Sequence, residues 1–129
     1  MDPSLRVLIV DDHGPTRALL RSFMRSEGWS VVGEAATAEE AFKLLGQLEP
    51  DVVCLDVVMP GLSGTDLLKQ VKVQFPQVAV VMVTGNATPE VVQAAMDGSA
   101  DGFLVKPFDR ERIVQTLSSA VRRRQGKPG

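Results

Sequence analysis

Apolar residues gather in five short runs along the chain, at residues 5–10, 30–32, 51–55, 78–83 and 102–105. The first, third and fourth are almost continuous and rich in Val and Ile. That pattern predicts strands buried on both faces of a parallel sheet, not alternating strands with one wet face. Such a sheet needs helices on both sides, and the intervals supply them. Residues 15–26 carry Leu19, Leu20, Phe23 and Met24 at helical spacing, residues 37–48 carry Ala41, Leu44, Leu45 and Leu48, and residues 63–75 carry Leu67, Leu68 and Val71. The second of these opens on a capping box, in which Thr37 accepts from the amide of Glu40 and Glu40 reaches back to the amide of Thr37. Thr88 followed by Pro89 and Glu90 starts a helix that runs to Asp97, because proline at the first helical position has no amide to leave unpaired. Asp109 caps a last helix ending at about Arg124.

Strand and helix thus alternate five times, with no internal repeat or low-complexity tract. This predicts an α/β fold, a doubly wound five-stranded parallel sheet in the order 2-1-3-4-5 with right-handed connections. One domain is expected over residues 1–124, with 125–129 as a tail or the start of a truncated linker. In this architecture ligands sit outside the carboxyl ends of the strands. The residues there are Asp11 and Asp12 after the first strand, Asp56 after the third, Thr84 after the fourth and Lys106 after the fifth. Taken singly, an aspartate after a strand is a common turn residue or helix cap. Asp56 is harder to dismiss, because it ends an apolar run where an acid is costly unless paired, hydrogen-bonded or metal-bound.

Charge then narrows the chemistry. Three converging carboxylates against one ammonium leave an excess of negative charge that a divalent cation would cancel. The expected ligands are all oxygens, which favours Mg²⁺, or Mn²⁺, over zinc or copper. A carboxylate beside such an ion, with a lysine and a hydroxyl aimed at the same space, is what phosphoryl transfer to aspartate requires. Composition adds exclusions. With 129 residues the chain is long enough for one substantial core. Its single cysteine, Cys54, permits no internal disulfide and is read as a small buried hydrophobe. No signal pattern and no apolar run of about 18 residues is present, so a cytoplasmic protein with no membrane partner is expected. The net charge of −2 makes nucleic acid an unlikely partner for this domain, and the cluster Arg122, Arg123, Arg124 and Lys127 is read as solvated charge favouring a helix C-terminus. His13 is read as an exposed or capping residue.

Val10-Asp11-Asp12, then Leu55-Asp56-Val57-Val58-Met59-Pro60-Gly61 with Gly64, then Val83-Thr84-Gly85, then Phe103-Leu104-Val105-Lys106-Pro107-Phe108, resembles the CheY-like receiver domain of two-component response regulators. The resemblance spans residues 5–123. It implies that Asp56 is the phosphoacceptor, supplied from a phosphohistidine on a sensor histidine kinase or histidine phosphotransfer protein. It implies Asp12, Asp56 and the backbone carbonyl of Val58 as direct metal ligands, Asp11 as a ligand through water, and Thr84 and Lys106 as phosphoryl-binding groups. Thr84 and Phe103 take the switch positions, with phenylalanine where many members have tyrosine. Val58 and Asn86, two residues beyond Asp56 and Thr84, are expected to tune phosphoryl lifetime.

The resulting expectation is a signalling switch that catalyses only its own phosphotransfer and dephosphorylation, and is otherwise not an enzyme. Phosphorylation would alter the face formed by the fourth helix, fifth strand and fifth helix, where a downstream protein docks. The molecule is expected to be a monomer or a phosphorylation-dependent dimer. The alternative is the receiver portion of a longer regulator with a DNA-binding or other output domain. A flavodoxin-like electron carrier is disfavoured because Asp11 and Asp12 would repel its phosphate. An aspartate-nucleophile hydrolase is disfavoured by Val58, where a second acid is expected.

Overall fold

A computed structural model describes residues 5–58 and 63–125. Met59, Pro60 and Gly61 of the quoted motif, and the tail beyond residue 125, lie outside the described residues. The strands are β1 (Arg6–Val10), β2 (Ser30–Ala35), β3 (Val52–Asp56), β4 (Ala79–Thr84) and β5 (Gly102–Val105). The helices are α1 (Gly14–Ser26), α2 (Ala38–Leu48), α3 (Gly64–Gln74), α4 (Pro89–Asp97) and α5 (Arg110–Gln125). All pairings are parallel, in the order β2-β1-β3-β4-β5. This is the α/β doubly wound sheet that the continuous apolar runs predict. Among the described residues no helix is long and apolar enough to cross a membrane.

The alternating residues of each central strand feed two separate cores. Val7, Ile9, Val52, Cys54, Val81 and Val83 pack with Leu20 and Met24 of α1 and Ile113, Leu117 and Ala120 of α5. Leu8, Val10, Val53, Leu55, Val80 and Met82 pack with Ala41 and Leu45 of α2, Leu67, Leu68 and Val71 of α3 and Ala95 of α4. Every residue of β3 and β4 is buried, which is why those strands lack a polar alternation.

Three local expectations differ from what is seen. β2 continues past Val32 to Ala35, with a register shift opposite Val7 and Leu8. Gly33 and Glu34 hide this extension in the sequence. A Cβ on Gly33 would lie 2.9 Å from Leu48 Cδ1, so the position is small because α2 packs on it. Leu19 is 48% exposed, since the buried stripe of α1 centres on Leu20 and Met24. In α2, Thr37 Oγ1 does accept from the amide of Glu40 (3.1 Å), but Glu40 Oε1 accepts from Ala36, one residue earlier than the capping box predicts (3.1 Å).

At the opposite end of the sheet from the acidic residues, Asp101 is a buried charge. Its Oδ2 accepts from Lys72 Nζ of α3 (2.5 Å) and from the amide of Val80 in β4 (2.9 Å). Lys72→Met would strand that carboxylate, and breaking a buried pair from one side typically costs a few kcal/mol. A loss of about 3 kcal/mol in chemical denaturation is expected. A loss no larger than that of an exposed pair would show that water reaches Asp101 freely.

Candidate functional site

β1 and β3 are neighbours, so their carboxyl ends bring Asp11, Asp12 and Asp56 together. One carboxylate oxygen from each lies within 4.8 Å of the others. Asp11 and Asp56 are buried, whereas Asp12 is exposed. Asp11 is fixed at the main chain, its amide donating to the carbonyl of Ala35 at the end of β2 (3.0 Å). Its Oδ1 accepts from the amide of His13 (2.8 Å), and its Oδ2 is buried without a hydrogen-bond partner. Lys106, just beyond β5, brings Nζ to 3.8 Å from that Oδ2, an ion pair longer than a hydrogen bond.

Asp56 Oδ1 accepts from the amide of Val58 (3.2 Å). Its carboxyl is pushed up from 3.8 to about 6, chiefly because burial penalises the anion and secondarily because Asp11 is close. The Val58 amide and Lys106 pull the other way. An orphaned buried oxygen, three converging acids and a set of oxygen donors together fit a divalent cation, which removes both the repulsion and the missing hydrogen bond.

Close approach of α3 completes the floor. The amide of Gly64 donates to the carbonyl of Val57 (2.8 Å), and a Cβ at Gly64 would stand 2.1 Å from the carbonyl oxygen of Asp56. Only a residue without a side chain permits that approach. Ser63 caps the helix by accepting from the amide of Asp66 (3.2 Å).

The remaining predicted residues line the neighbouring strand ends. Thr84 is buried, and its hydroxyl serves its own loop, accepting from the amide of Asn86 (3.1 Å) and donating to the Asn86 carbonyl (3.3 Å). Thr84 pairs in register with Val105, and Phe103 lies two residues deeper, opposite Met82. Phe103 is half-buried against the core under α2, α3 and α4, and lines a cavity of about 370 Å³ with Val92, Ala95, Met96, Val105 and Arg123. Val58 is 74% exposed, its amide bonded to Asp56, and Asn86 is exposed, its amide bonded to Thr84. Cys54 is buried, with its thiol pushed up to about 12 by desolvation, and is inert. His13 is exposed, its Nδ1 2.7 Å from Thr16 Oγ1.

Arg17 and Glu34 have no role in the sequence reading, yet both abut this site. Arg17 Nη1 donates to the main-chain carbonyl of Asp11 (2.6 Å) while its Nε pairs with Glu34 Oε1 (3.3 Å). No local spacing signals this, since α1 and β2 meet only in the fold.

Comparison with known proteins bears on the fold and the family. The chain is 34% identical over 113 residues to the chemotaxis protein CheY of Thermotoga maritima, a relationship covering 88% of this chain and 94% of that protein. It is 31% identical over 118 residues to the transcriptional regulatory protein YdfI of Bacillus subtilis, covering 91% of this chain but 55% of that protein. Among solved structures, Vibrio cholerae CheY4 superposes with a TM-score of 0.83 at 30% identity, covering 91% of this chain and 98% of that one. Residues 7–118 match the response regulator receiver domain, and with the sheet order and these relatives the chain belongs to that family.

Proposed function

We propose that this protein is a phosphorylation switch in which Asp56 accepts a phosphoryl group from the phosphohistidine of a sensor kinase or phosphotransfer protein. The observation that carries this reading is the convergence of Asp11, Asp12 and Asp56 around a buried oxygen with no hydrogen-bond partner, with Lys106 alongside. Asp12, Asp56 and the Val58 carbonyl would hold Mg²⁺ directly, and Asp11 would hold it through water; Mn²⁺ would suit the same ligands. The chemistry such an ion would supply there is neutralisation of charge on the phosphoryl oxygens. Asp56 supplies the attacking oxygen, Lys106 pairs with a phosphoryl oxygen, and the Thr84 hydroxyl leaves its loop to donate to another.

Departure of that hydroxyl opens room beside Met82 and the Phe103 ring, which couples the site to the face formed by α4, β5 and α5. This face docks a downstream protein. Incubation with acetyl phosphate and Mg²⁺ should add one phosphoryl mass, absent in Asp56→Ala and in EDTA. A persistent adduct in the mutant would sink the assignment.

Lifetime follows from two exposed residues, Val58 and Asn86. Val58 cannot hydrogen-bond a hydrolytic water and crowds its approach, whereas Asn86 has an amide that can orient one. Val58→Asn should speed dephosphorylation and Asn86→Ala should slow it, each severalfold, because in-line positioning dominates this chemistry. Decay after removal of the phosphodonor measures both, and slower decay in Val58→Asn would refute the shielding.

A second reading, the receiver portion of a longer regulator with a DNA-binding or other output domain, is favoured by the relative from Bacillus subtilis, of which this chain spans about half. The length of the native open reading frame distinguishes the two.

A further inference from the structure

We infer that Arg17, held by Glu34, is a positioning residue for the acidic site: its guanidinium fixes the main-chain turn that aims Asp11 and Asp12. This rests on the metal-dependent phosphoacceptor reading above. Asp11 is the pivot of that turn, gripped by β2 at its amide and by α1 at its carbonyl. Its amide donates to the Ala35 carbonyl (3.0 Å), and its carbonyl accepts from Arg17 Nη1 (2.6 Å). Glu34, the residue before Ala35, closes the loop by taking Arg17 Nε on Oε1 (3.3 Å). Its other oxygen, Oε2, is held by Arg21 Nη1 (2.5 Å) one turn further along α1. The chain Arg21, Glu34, Arg17, Asp11 therefore ties the edge strand to the loop bearing two of the three carboxylates.

The arrangement is more than an exposed ion pair. The side chains of Arg17 and Glu34 are each 24% exposed, and the guanidinium bridges an acid and a carbonyl at once. That fork is a geometry lysine cannot reproduce. The turn it fixes carries a buried carboxylate whose Oδ1 accepts from the His13 amide (2.8 Å) and whose Oδ2 has no hydrogen-bond partner, so a shift of the main chain from Asp11 to His13 re-aims both oxygens. Groups that orient metal ligands commonly change metal affinity by 10–100-fold when removed. Arg17 acts through the main chain, which puts the expected effect near the lower end.

Titration calorimetry with Mg²⁺ on the full chain tests this. Arg17→Met should weaken binding about tenfold, Arg17→Lys should recover little of the loss, and Glu34→Gln, which keeps an acceptor for Arg17 Nε, should lose only a few-fold. In the metal-free protein, amide resonances of Asp12 and His13 should shift in Arg17→Met while those of α4 and β5 stay in place. Mg²⁺ affinity unchanged in Arg17→Met would overturn the inference, whatever the variant does to thermal stability. Should Arg17→Met fail to fold, Arg17→Lys and Glu34→Gln decide the matter, and wild-type affinity in both overturns it. If the wild-type chain itself binds no Mg²⁺ and takes up no phosphoryl group, the proposed function fails instead.

Discussion

Asp56→Asn is expected to raise the thermal midpoint of the metal-free protein at pH 7 by about 10 °C while abolishing phosphoryl uptake. The physical reason is that the fold holds Asp56 where its anion is disfavoured, lifting its carboxyl from 3.8 to about 6. Below pH 3.8 the folded and unfolded chains both keep the proton and nothing is lost. As pH rises through the interval to about 6, the unfolded chain releases its proton first, so stability falls. Above that interval the whole penalty remains, on the order of 3 kcal/mol. Asparagine carries no charge at any pH, and its amide can donate to Asp11. The difference between variant and wild type in EDTA should therefore be small at pH 4 and full at pH 7. Mg²⁺ should close the gap by stabilising the wild type through mass action. A difference independent of pH would show that the charge of Asp56 is not the source.

Among the described glycines, Gly64→Ala should be the most disruptive. The added Cβ would lie 2.1 Å from the Asp56 carbonyl oxygen, 2.6 Å from Val57 Cα and 2.8 Å from the Val57 carbonyl oxygen. All three are backbone atoms, which cannot swing aside as a side-chain tip can. Either β3 and α3 separate, or the junction bends and carries Asp56 with it. The expected loss exceeds the 1–3 kcal/mol typical of an overfilled core, about 4 kcal/mol or more. Mg²⁺ affinity should fall together with stability, because the strained atoms belong to Asp56 and its neighbour. Chemical denaturation and calorimetry together check this. Near-wild-type values in both would mean that α3 can move off β3 without cost.

Much of this was legible because it rests on short-range spacing. The runs that became β1, β3 and β4 are apolar on both faces and could only be central strands. Thr88 and Asp109 cap α4 and α5 as their side chains predict, while Ser63, read as the first residue of its helix, caps α3 instead. The edge strand was the weak point. Gly33 is small because Leu48 of α2 presses on it, and Glu34 is charged because two arginines of α1 await it. Neither partner is near in sequence, so the last residues of β2 read as a loop. The exposed Leu19 is the same failure in reverse, since helical periodicity defines a stripe but not how wide a face the sheet covers.

By itself the sequence determined the order of the elements, hence the sheet order, and the chemical groups delivered to the carboxyl ends of the strands. Local hydrogen bonding, periodicity and connection rules act over a few residues and leave a readable trace. Only the tertiary structure decided that Asp11 is buried with an unsatisfied oxygen while Asp12 faces solvent, and that Asp56 holds its proton to about pH 6. It alone decided, too, that Arg17 reaches the carbonyl of Asp11 while Glu34 holds it. Desolvation and Coulomb interaction depend on distances between groups far apart in the chain, and those distances exist only once the sheet has brought the strand ends together.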